Sequence, residues 1–169
     1  MRVFSVSVGL VFFVGVAAAQ APPAQPYGSL AQIMRGILFP NANILFDVQS
    51  NDPAAPKKAE TGGGATATFS NIYTGWQVVE NSALALAESA TLINLPGRLC
   101  DNGRPVPIKQ ADWQKYSQEL VVASRAMYKA AQSRKQDVAS DATNDVAAAC
   151  ENCHTTYRDK GAGAPRCTP

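Results

Sequence analysis

Cys150, Cys153 and His154, in the run "CENCHTTYRDK" near the C-terminus, are the residues whose types and spacing could do chemistry in this chain. Two thiols lie two residues apart, and the chain's one histidine follows the second directly. Three tasks suit such a run: holding a zinc ion, exchanging disulfides, or anchoring haem c. Structural zinc needs four ligands, usually from two separated pairs. The only other cysteines, Cys100 and Cys167, form no second pair of that spacing. A thiol–disulfide pair belongs where a strand meets the first turn of a helix, whose N-terminus lowers the thiol pKa. Cys150 instead comes after a long alanine-rich helical pattern with no strand before it. Haem c attachment fits: two cysteines become thioethers to the porphyrin vinyl groups, and the next residue's imidazole reaches the iron.

These residues need a helix to present them. Positions 150, 153, 154 and 157 stand at i, i+3, i+4 and i+7, so Cys150, Cys153, His154 and Tyr157 share one helical face. Val138, Ala142 and Val146 are read as continuing that face toward the interior. Three more segments show helical spacing. In residues 28–50 the apolar positions are Leu30, Ile33, Met34, Ile37, Ile44, Leu45 and Val48, with Pro40 predicting a kink or break near Phe39. In residues 69–95 they are Phe69, Ile72, Tyr73, Trp76, Val79, Ala83, Leu86 and Ala90. In residues 111–133 they are Trp113, Tyr116, Leu120, Ala123, Met127 and Ala130, with Met127 a packing residue. No stretch alternates with period two over a useful length. The connections 51–65 and 95–109 are rich in Pro, Gly and polar residues and read as loops. The expected fold is all-α, one antiparallel four-helix bundle over 20–169 with the CxxCH motif on its last helix and a tail at 161–169.

The N-terminus sets the compartment. "MRVFSVSVGLVFFVGVAAAQA" carries Arg2, an apolar stretch from Val8 to Val16, and Ala17 and Ala19 before a cleavage point at Gln20. This is the layout of a secretory signal peptide over 1–19, too short to serve as a membrane anchor. A periplasmic protein, soluble after cleavage, is expected. Loss of Arg2 brings the formal charge of +2 down to +1. A nearly neutral chain argues against nucleic acid as a partner, because that contact requires clustered cations.

The extended run C-x-x-C-H-x-x-Y-R, here "CENCHTTYR" with Tyr157 and Arg158 in place, resembles the haem-attachment helix of cytochrome c′ and its low-spin cytochrome c-556-type relatives. The resemblance is convincing at sequence level around the last helix and extends to the mature chain as architecture. It implies one covalently bound haem c, with Cys150 and Cys153 as thioethers, His154 as proximal ligand, and Arg158 near the proximal face. An end-of-helix cation is the other reading of Arg158. The family divides at the sixth iron position, either vacant beneath an apolar side chain of the first helix or filled by a methionine from it. Met34 is therefore either the sixth ligand or lining of the same face. Around it, "QIMRGILFPNAN" departs from the family by lacking an Arg-Gln pair and by containing Pro40. A homodimer through the first two helices is also implied.

Cys100 and Cys167 remain. In an oxidising compartment a disulfide between them is the economical reading, with an intermolecular bridge or free thiols as alternatives. The expected function is one-electron transfer with a redox partner protein. The alternative is a five-coordinate haem protein that binds a diatomic gas, nitric oxide or carbon monoxide. Enzymatic turnover is not expected, since no distal histidine exists to move protons. Lys57 and Lys58 are a solvated pair that could help dock a partner.

Overall fold

The computed structural model describes residues 25–55, 75–158 and 166–168. The signal segment 1–19, Lys57 and Lys58, the loop beyond residue 55, Phe69, Ile72 and Tyr73, and tail residues 161–165 and 169 lie outside them. Among the described residues there are four bundle helices and no strand, and none of the helices is long and apolar enough to cross a membrane.

The first bundle helix starts at a reciprocal cap. The Gln32 amide donates to Ser29 Oγ, and the Ser29 amide donates to Gln32 Oε1. These bonds satisfy two of the donors that a helix start leaves open. The helix then runs as α1 (Leu30–Ile33), a π turn (Met34–Leu38) and α2 (Phe39–Asp47). The interruption expected at Pro40 takes the form of that π turn, and the helix does not break. In an α-helix the proline ring would meet the Gly36 carbonyl. Here the Phe39 amide reaches back to Met34 O, five residues away, which widens the turn just before the ring.

Next come α3 (Trp76–Ile93), α4 (Ala111–Gln132) and α5 (Gln136–Tyr157). Gly75, just before α3, has φ +61, and a Cβ there would stand 2.8 Å from Pro53 O. No side chain fits that approach. Inside the bundle, Leu45, Leu86, Trp113, Met127 and Val146 are almost completely enclosed, with Met127 in the packing role expected of it.

One face was misread from the sequence. Along α5 the buried residues are Ala139, Thr143, Val146, Ala149 and Tyr157, whereas Val138 is exposed and Ala142 half-buried. Each step of four overshoots a full turn by about 40°. The row 138, 142, 146 therefore slides off the inner face as it is followed back toward the N-terminus.

The helix directions follow from contacts at their ends. Gln136, at the start of α5, donates to Val48 O at the end of the first helix. The Leu30 amide, at the start of that helix, donates to Leu99 O in the crossover after α3. Nearby, the buried Arg98 side chain donates from Nε to Leu92 O and from a terminal nitrogen to Gly28 O. Thus Arg98 fastens the N-terminal segment to the end of α3. The first helix packs on α3 but meets α5 only through α2. Its α1 end stands clear of the CxxCH half of α5.

Candidate functional site

Where the first helix and α5 diverge there is a cavity of about 420 Å³. Its lining is mainly apolar, and its size falls in the range of small-molecule and cofactor sites. The α5 wall carries Cys150, Cys153, His154, Tyr157 and Arg158. The facing wall carries Leu30, Met34, Leu38 and Phe39. Every residue singled out in the sequence for the site therefore borders one space, including Met34.

Tyr157 fixes the end of the α5 wall. It is buried, its ring meets Trp113 edge-on at 5.0 Å and 78°, and its hydroxyl donates to Asp112 Oδ1 at 2.6 Å. Burial, then the bond to Asp112, pushes its phenol pKa well above the ordinary range. Trp113 is itself held by an Nε1–H bond to Asn94 Oδ1 at 2.8 Å. The tyrosine of the C-x-x-C-H-x-x-Y run thus locks α5 to α4 while forming part of the cavity.

The thiols are poor nucleophiles in this setting. Burial raises the Cys150 pKa, an effect that Arg158 partly offsets. Burial, with smaller contributions from Cys150 and Asp112, pushes Cys153 up to about 12. A thiol-exchange pair needs the opposite, a lowered pKa. Among the described residues, no three His, Cys, Asp or Glu side chains gather as a metal-ion site would require. Two thiols and an imidazole beside a wide apolar space fit a macrocycle that brings its own equatorial nitrogens.

The disulfide between Cys100 and Cys167 is present, spanning 67 residues. It also borders the cavity, together with Asp101 and Arg166. The Cys167 amide donates to Tyr157 O at 2.9 Å, and Asn102 Nδ2 donates to Arg166 O at 3.1 Å. Arg35, on the facing wall, lies 3.8 Å from Asp101. The lining therefore includes Arg35, Arg158 and Arg166, cations that suit the two carboxylates of a haem.

Residues 108–158 match the family model described as cytochrome C′. The likeness to the cytochrome c′ family is carried by that segment. No curated protein and no solved structure matched the chain. The match supports a c-type haem protein, and the matched segment holds α4, α5 and the whole CENCHTTYR run. It stops short of the first helix, so the cytochrome c′ likeness speaks for the proximal wall and not for Met34. Sequence reasoning had Trp113 only as core, and it missed Phe39, Leu86 and Arg166 as cavity lining. Their place depends on how distant segments meet, for which no local pattern exists.

Proposed function

We propose that the protein is an exported cytochrome that carries one covalently attached haem c and transfers single electrons. The observation that carries this reading is that Cys150, Cys153, His154 and Met34 line one apolar cavity from two facing helices. Cys150 and Cys153 are the thioether anchors, His154 is the proximal ligand, and Met34 is the sixth ligand from the facing wall. Bound there, haem supplies a one-electron couple at its iron. The chain's part is to exclude water with Leu30, Leu38 and Trp113, to hold the axial groups, and to place Arg35, Arg158 and Arg166 near the haem carboxylates. The donor and acceptor are redox proteins, and the signal segment directs the chain to the periplasm. Among the described residues, no histidine, carboxylate or thiol borders the cavity from the first helix, which favours a carrier over an enzyme.

The test is an optical spectrum of the matured protein, oxidised and reduced, with and without carbon monoxide. A low-spin spectrum with a methionine-to-iron charge-transfer band, unmoved by carbon monoxide and lost in Met34→Leu, is expected. A high-spin spectrum that carbon monoxide shifts would replace this reading with that of a gas-binding protein whose sixth site is open. A protein that leaves a host competent for haem c maturation without covalent haem would overturn both.

A further inference from the structure

Leu30, Met34, Leu38, Ala42 and Phe46 all border the cavity, a row in strict steps of four, with Ala31, Arg35, Phe39 and Asn43 beside it as a second, more exposed row. On an α-helix each such step gains about 40°, so the row from Leu30 to Phe46 would turn by about 160° from first to last. Its ends would then face nearly opposite directions. The same drift carries Val138 out of the core on α5, where the helix is regular. The first helix differs by its π turn at Met34–Leu38, which acts as one extra residue and takes back about 100° of rotation. That correction lets residues on both sides of the turn face one cavity.

Pro40 sits directly after the turn. It has no amide hydrogen, and its ring cannot be placed above an α-helical Gly36 carbonyl. Gly36 itself is exposed, with no neighbour within 4 Å of where a Cβ would stand, so packing there does not account for the widened turn. We infer that Pro40 is a positioning residue: through the π turn it decides that Met34, packed against the core, takes the inner position on the cavity wall, with the exposed Arg35 at its rim. Without the extra residue, α2 continued backward as an α-helix would bring Arg35 to the place of Met34 and Ala31 to that of Leu30. A guanidinium would stand where a thioether now does.

This inference rests on haem occupying the cavity, and its readout is separable from that reading. In the reduced, matured protein the Met34 methyl resonance should carry a large ring-current shift, whether the sulfur binds iron or only lies over the ring. The variant Pro40→Ala should keep haem, as seen by mass, and lose that shift. Deleting Gly36 in the Pro40→Ala background removes the extra residue and should bring the shift back. Retention of the shift in Pro40→Ala overturns the inference. So does a double variant that fails to regain it, folded or not. A wild-type protein with no shifted Met34 methyl instead overturns the placement of haem beside Met34, whatever Pro40 does.

Discussion

Tyr157 and Ser124 are both polar side chains in the bundle interior, and they differ in whether the hydroxyl has a partner. The Tyr157 hydroxyl donates to the Asp112 carboxylate. Bonds to charged acceptors contribute about 1.5–3 kcal/mol. Tyr157→Phe should therefore lower stability by about 2 kcal/mol in urea unfolding, leaving the edge-on contact with Trp113 in place. A loss below about 0.5 kcal/mol would mean that Asp112 is equally well served by water. Ser124, on α4, is fully enclosed, and its Oγ has no hydrogen-bond partner among the described residues. Burying an unmatched hydroxyl is unfavourable. Ser124→Ala should raise stability by about 1 kcal/mol, visible as a higher melting temperature. A fall instead would reveal a partner for the hydroxyl.

The last helix decides the chemistry, and its thiols offer a test without haem. In the folded, haem-free chain both cysteines of CxxCH are half-buried with raised pKa values, Cys153 at about 12. Because the thiolate is the reacting form, alkylation by iodoacetamide at pH 8 should be at least about tenfold slower in the folded chain than in urea. Equal rates would show that the apolar wall does not form in the chain alone. The shared face of Cys150, Cys153, His154 and Tyr157 was legible because i, i+3, i+4, i+7 is a property of any helix. The bundle was legible for the same reason, from apolar spacing in segments long enough to count. Three features were not. The inner face of α5 was followed by steps of four and drifted to Val138. The π turn that keeps Met34 and Phe46 on one side announces itself only as an awkward Pro40, which fits a break equally well. Arg98 reads as an ordinary loop cation, because its acceptors, Leu92 O and Gly28 O, are brought together only by the finished fold.

At the scale of the whole molecule, the Cys100–Cys167 bridge ties the segment after α5 to the crossover that also receives the start of the first helix. Arg98 and the Leu30 amide join the N-terminal end to that crossover, so three distant parts of the chain close one end of the bundle. That end is a wall of the cavity, with Cys100, Arg166 and Cys167 on it. Closing a loop across a separation of 67 residues restricts the unfolded chain by an amount worth about 4 kcal/mol in the chain-entropy model. Measured values commonly fall below that figure. The double variant Cys100→Ala/Cys167→Ala should therefore lose about 2–4 kcal/mol in urea unfolding. Most of the change should come from a freer unfolded chain, so the slope against urea should rise as more surface is exposed on unfolding. The Cys167 backbone has φ +63, a left-handed conformation that alanine adopts with strain, so Cys167→Gly in the same pair separates the two contributions. If the glycine version recovers nearly all the loss, backbone strain explains it and the bridge contributes little. If both versions lose about the same, the covalent tie itself holds this end of the cavity closed.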